Sequence, residues 1–173
     1  MKRGLVVVVG ALGALAVGCG SEVSGTPAPP AVADASRIDM CTILTDAELT
    51  ELGVKLDTRK PFDEVGVVGC QWGGKSISLS LQQDEDTVAA YKARRDDPAF
   101  TSFAENTVNG RAGVQLSVRR DRTQCAQFMD GGSVSLVVSV APSFSPDPPK
   151  LDSCAEALRI AQMIEPRLPK AES

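Results

Sequence analysis

Five cysteines hold most of the reactive chemistry in this chain, and their surroundings divide them into one and four. Cys19 closes an apolar run, Gly4 to Gly18, that follows Lys2 and Arg3. The run is shorter than the roughly 20 residues needed to span a bilayer. Small residues Ala16 and Gly18 stand just before Cys19. Residues 1–18 therefore read as an export signal with a lipoprotein-type cysteine after the cut. Lipid on Cys19 would hold the mature chain at the membrane, each buried CH₂ contributing about 0.8 kcal/mol. Two other outcomes stay open. Ala16 stands where such signals usually carry Leu, and Ala14-Leu15-Ala16 suits ordinary secretion, which would release a free protein. An uncleaved anchor is the third.

The other four, Cys41, Cys70, Cys125 and Cys154, form an even set in an exported chain and read as two disulfides. Their wide spacing, with no CxxC pair, argues against zinc and against thioredoxin-like exchange. Three pairings are open. Cys70 and Cys125 fall in expected strands, where a bridge can join neighbours. Cys41 and Cys154 stand at the starts of expected helices near the two ends of the domain, and domain termini tend to lie close together. The favoured pairing is Cys41–Cys154 with Cys70–Cys125. Its outer bridge would close a very long loop, worth about 4–5 kcal/mol in the chain-entropy picture.

Other constellations are weaker. The chain has no histidine, which removes Ser-His-Asp and Cys-His catalysis and the commonest zinc ligand. Gly69-Cys70-Gln71-Trp72-Gly73-Gly74-Lys75-Ser76 fits the phosphate-loop pattern literally. That loop works where it opens a helix, and here Lys75-Ser76 opens an alternating strand. No nucleotide is expected. Asp84-Glu85-Asp86 offers oxygen ligands but lacks the glycine and later glutamate of a calcium loop, and it precedes a helix whose positive end favours acids. No metal, cofactor or catalytic set is assigned. Trp72, the lone tryptophan, is expected beside a disulfide in the core. The strand serines Ser76, Ser78, Ser80, Ser133, Ser135 and Ser139 are expected on a wet sheet face. Losing Lys2 and Arg3 with the signal takes the net charge from −4 to about −6, which argues against nucleic acid. Arg119-Arg120-Asp121-Arg122 reads as a solvated turn.

Residues 19–37, rich in Pro, Ser, Gly and Ala, bury too little to repay ordering and read as a spacer. Residues 38–169 form one domain and 170–173 a tail. Thr45-Asp46-Ala47-Glu48 is a capping box that opens a helix over 46–52, with Gly53 as its stop. Strands are expected over 65–72, 76–81, 113–119, 124–129 and 133–141, from strict alternation and from turns at Gly73-Gly74, Asn109-Gly110 and Asp130-Gly131-Gly132. A helix is expected over 86–95. A last helix follows a second capping box at Ser153 to Glu156, with Cys154, Leu158, Ala161 and Ile164 as its apolar stripe. Residues 99–109 read as irregular. The expected fold is α+β, in the order α-β-β-α-β-β-β-α: a five-stranded antiparallel sheet whose three helices cover one face.

Cys41-Thr42-Ile43-Leu44-Thr45 with Glu48, Gly69-Cys70-Gln71-Trp72, Cys125, and Cys154 before a helix ending in Leu168-Pro169 resemble a family of small actinobacterial lipoproteins. That family is known only as domain of unknown function family 3558. The resemblance covers about Ile38 to Pro169 and implies a cell-envelope location, a lipid anchor on Cys19 and two disulfides. It implies no activity. The expected function is a non-catalytic module that binds an envelope ligand or protein partner at the outer face of the cytoplasmic membrane. The alternatives are a histidine-free envelope hydrolase, and an extracellular sensor or structural subunit of a membrane complex.

Overall fold

The first helix starts where its capping box requires. The Thr45 hydroxyl accepts the Glu48 amide at 3.3 Å, and the Glu48 carboxylate accepts the Thr45 amide at 2.8 Å. This helix, α1, spans Asp46–Glu51, and Gly53 leaves it at φ +79°. The computed structural model describes residues 34–144 and 150–170, apart from the Arg122 side chain. After α1 come β1 (Lys60–Glu64), β2 (Val67–Gly73), β3 (Ile77–Asp84), α2 (Val88–Ala93), β4 (Phe100–Val108), β5 (Arg111–Val118), β6 (Asp121–Asp130), β7 (Ser135–Pro142) and α3 (Ser153–Ile164). All seven strands form one antiparallel sheet in the order β1-β2-β3-β7-β6-β5-β4.

The expected count of five strands is therefore corrected to seven. The two additional strands are the sheet's edges, where one side of the strand is unpaired and little side-chain area is buried. β1 carries Pro61 and three charged residues, the composition that guards an edge. In β4 the half-buried residues are Phe100, Phe103 and Asn106, a spacing of three. A register shift between Phe100 and Ser102 breaks the period of two that marks a strand.

The helices divide between both faces, which corrects the one-sided arrangement. Leu79, Leu81, Cys70, Trp72, Leu136, Val138, Val140 and Met129 pack with α1 and with Ala157, Ile160, Ala161 and Ile164 of α3. Val114, Leu116, Ala126, Phe128 and Val137 form a second cluster under Val88 and Tyr91 of α2. The alternation of β7 feeds both cores, and Leu136 to Val140 are buried throughout. Lys92 of α2 pairs with Glu105 at 3.1 Å. The packed domain also reaches into the expected spacer: Ala35 is fully buried and donates to the Gly131 carbonyl. Asn109 (φ 50°) and Gly110 (φ 91°) make the tight β4–β5 turn, a conformation that favours this residue pair.

The disulfides are Cys41–Cys70 and Cys125–Cys154, not Cys41–Cys154 with Cys70–Cys125. Sheet order gives the reason. β3 and β7 lie between β2 and β6, so Cys70 and Cys125 stand on strands roughly 14 Å apart. A bridge tolerates at most about 7 Å between Cα atoms. Each bridge instead ties the approach or first turn of a helix to a central strand, across the same separation of 29 residues.

The C-terminal turn is fastened to α1 by charge. Arg167 donates to the Glu48 carboxylate, at 3.0 Å through one nitrogen and closer through the other. These bonds, with those from Thr45, hold the Glu48 carboxyl down at about 2. A lowered carboxyl pKa contributes stability above its unfolded value of 4.5, which is lost as pH falls toward 2. Acid unfolding followed by circular dichroism should therefore steepen between pH 4.5 and 2, and Glu48→Gln should flatten that slope. An unchanged slope in Glu48→Gln would rule out this pair as the cause.

Candidate functional site

Most residues with apparent chemistry prove to be structural. Gly69 to Gly73 run within β2, and Gly74 donates to Ile77 across the turn into β3, so the literal phosphate-loop match opens no helix. Asp84 accepts the Tyr91 hydroxyl at 2.7 Å and the Asp86 amide at 2.8 Å. Asp86 pairs with Arg94 at 2.6 Å. Burial first, and Asp84 second, push the Tyr91 hydroxyl well above its ordinary pKa. Among the described residues no cluster of acidic or sulfur side chains is arranged to hold a metal. Cys19 lies outside the described residues.

Trp72 is buried in the larger core with Cys70, and its indole N–H has no partner. The Arg59 guanidinium sits 5.5 Å from its ring. Only part of the serine set lies on a wet face. Ser135 and Ser139, on central β7, are buried, and the Ser135 hydroxyl donates to the Asp86 carbonyl at 2.6 Å. The second capping box also differs: Asp152, not Ser153, caps α3 by accepting the Ala155 amide at 3.0 Å. Ser153 turns its hydroxyl to the Thr123 carbonyl at 2.7 Å.

That last bond marks a recess. β5 and β6 pair regularly up to Leu116 opposite Ala126, but Val118 then pairs with Asp121. Residues 122–125 thus span a single residue of β5, Ser117, and bulge away from it. Leu116 and Val118 belong to the α2-side core, so alternation turns Ser117 to the α3 side. There a cleft of about 440 Å³ opens between the bulge, the end of β7 and the first turn of α3. The Cys125–Cys154 bridge, Leu151 and Pro142 supply its apolar walls, and Ser117, Gln124, Lys150 and Asp152 its polar groups. This volume lies within the usual range for small-molecule sites, roughly 300–1,000 Å³.

Ser117 is only 9% exposed, and its hydroxyl has no hydrogen-bond partner among the described residues. The residue lines the recess, where a hydroxyl can both donate and accept a hydrogen bond. The two cysteines of the Cys125–Cys154 bridge were legible, but neither their pairing nor the cleft was. Ser117 sits in an ordinary alternating run, and nothing in Arg119 to Gln124 signals the bulge that exposes it. Behind the cleft, Gln115 donates to the Cys154 carbonyl at 2.8 Å and to Gln127 at 3.3 Å, and Gln127 is joined to Asn106 by bonds of 2.7 and 2.9 Å. This network fixes the disulfide end of α3 against β5.

Residues 14–167 match a family model described as "Protein of unknown function (DUF3558)". No curated protein and no solved structure matches the chain.

Proposed function

The chain belongs to the DUF3558 family, and from that premise we propose that it is an actinobacterial envelope lipoprotein whose domain is a non-catalytic binding module. The observation that carries the binding role is the cleft at the start of α3, with apolar walls and Ser117, Gln124, Lys150 and Asp152 as its polar groups. The scaffold suits that role: a disulfide forms one wall, and a hydrogen-bonded network backs it, so little ordering remains to be lost on binding. The two disulfides fit an oxidising compartment outside the cytoplasm. Among the described residues no helix is long and apolar enough to cross a membrane. In this reading lipid on Cys19 supplies the attachment, and the family match, which begins at residue 14, includes that junction.

Mass spectrometry of the protein taken from its own membranes tests both parts. The denatured mass should correspond to a chain starting at an acylated Cys19, whereas a chain starting at Val17 would overturn the anchor. The native spectrum should show added mass that leaves on denaturation and is missing from Ser117→Val, a variant that fills the recess. A native chain without passenger, coupled with substrate turnover that one substitution abolishes, would replace the binding module with an enzyme.

A further inference from the structure

The two edges of the sheet are guarded differently. β1 presents Pro61 and three charged residues to any strand that approaches it. β4 has nine residues, no proline and a single charge, Glu105. That charge is matched within the chain: Lys92 lies 3.1 Å from its carboxylate, and Arg95 donates to it as well. Among the described residues no strand lies beyond β4. α3 packs mainly on β6 and β7, and α2 on β5 and β6. The outer side of β4 is therefore open, with Ser102, Ala104, Glu105 and Thr107 exposed.

The β4–β5 turn fixes which backbone groups face outward. Asn109-Gly110 is a two-residue turn, so Val108 and Arg111 close the hairpin as a hydrogen-bonded pair. Such pairs alternate with non-bonded ones along an antiparallel ladder. Asn106 and Ala104 therefore bond to Gly113 and Gln115 of β5, and the amides and carbonyls of Thr107, Glu105 and Phe103 point away from it. The register is unbroken from Phe103 to Val108, and the shift between Phe100 and Ser102 lies outside this run. A regular, nearly uncharged edge of this kind accepts a further strand.

We infer that β4 is a self-association strand. It pairs antiparallel with β4 of a second copy about a two-fold axis at Ala104, joining two seven-stranded sheets into one. The outward backbone groups alone would accept any extended segment, and it is the side chains that select this occupant and this register. Ala104, the smallest residue of the strand, faces the partner's Ala104 as a non-hydrogen-bonded pair, where backbones approach closest. Phe103 then exchanges backbone bonds with the partner's Glu105, and Glu105 with the partner's Phe103. Phe103 pairs with Leu116 and Glu105 with Val114, so both side chains lie on the α2 side. The partner's Lys92 and Arg95, which hold the partner's Glu105, thus arrive beside the Phe103 ring, where a cation is attracted to the ring face. On the other side Ser102 meets the partner's Asn106. An axis at Glu105 instead would set two carboxylates directly opposite, an unfavourable pair.

Cysteine crosslinking of the full chain in the cells that make it decides the matter. Ala104→Cys brings two thiols onto the axis with Cα atoms about 4.5 Å apart, inside the range that a disulfide spans. Ser102→Cys lies on the same strand and the same side, but its two copies are about 14 Å apart and out of reach. On non-reducing electrophoresis Ala104→Cys should give a dimer band about tenfold stronger than Ser102→Cys or the wild type. Equal bands from the two variants, or none from Ala104→Cys, would overturn the inference. A band joining Ala104→Cys to a different polypeptide would overturn the second copy as the occupant. Ala104→Lys provides an independent reading, because it sets two like charges on the axis from an exposed position. It should convert a native mass of two chains into one while circular dichroism stays unchanged, which separates loss of pairing from loss of fold. A native mass unmoved by Ala104→Lys would also overturn the inference.

Discussion

Peptide mapping of the unreduced protein is expected to return Cys41 joined to Cys70 and Cys125 joined to Cys154, with no peptide linking Cys41 to Cys154. Each bridge closes a separation of 29 residues, for which the chain-entropy picture gives about 3.6 kcal/mol. Cys125→Ala with Cys154→Ala should therefore lower the melting temperature by about 10–15 °C, taking roughly 3–4 °C per kcal/mol for a domain of this size. The loss is heavy because total stability is about 5–15 kcal/mol. It should also erase binding at the cleft, since the bridge is one of its walls. Cys41→Ala with Cys70→Ala should destabilise by a similar amount and leave that cleft in place. A peptide joining Cys70 to Cys125 would refute the sheet order, because β3 and β7 keep their strands apart.

Arg111→Leu should be as damaging, for a different reason. Arg111 is buried and satisfied three ways: by the Glu165 carboxylate at 3.2 Å, the Asp130 carbonyl at 2.8 Å and the Pro169 carbonyl at 2.7 Å. It fastens the turn after α3 to the β6–β7 turn and to the start of β5. Removing it strands the buried Glu165 carboxylate and frees two carbonyls, a loss of about 3–5 kcal/mol. The pair itself is worth far less, since its attraction is offset by desolvation. Arg111→Leu combined with Glu165→Leu should therefore recover much of the stability lost in Arg111→Leu alone. Denaturant unfolding of the two single variants and the double variant measures this. A double variant as unstable as the sum of the singles would show that the carbonyl contacts, not the ion pair, carry the latch.

The interior strands were legible because burial on each is regular. In β3, Ile77, Leu79 and Leu81 alternate with Ser78 and Ser80, and the structure buries the first set as the pattern demands. The capping box at Thr45 was legible because its partners lie three residues apart and need nothing from elsewhere. The edge strands were hidden, since β1 buries almost nothing and the β4 bulge replaces a period of two with a spacing of three. At α3, the Ser153 motif was present, yet Asp152 took the cap because Ser153 was drawn to Thr123 on a neighbouring strand.

What the amino-acid sequence determines alone is set by local rules: the apolar run before Cys19, the four further cysteines, the absence of histidine, the α1 cap and the alternating interior strands. Each depends on neighbours within a few residues, or on composition. Tertiary structure decides which cysteine meets which, because pairing depends on the distance between elements, and two strands inserted between β2 and β6 exclude the expected Cys70–Cys125 bridge. It also decides where a site can form. Ser117 comes to line a recess because β6 bulges away from it, beside a helix start that is 36 residues further along the chain.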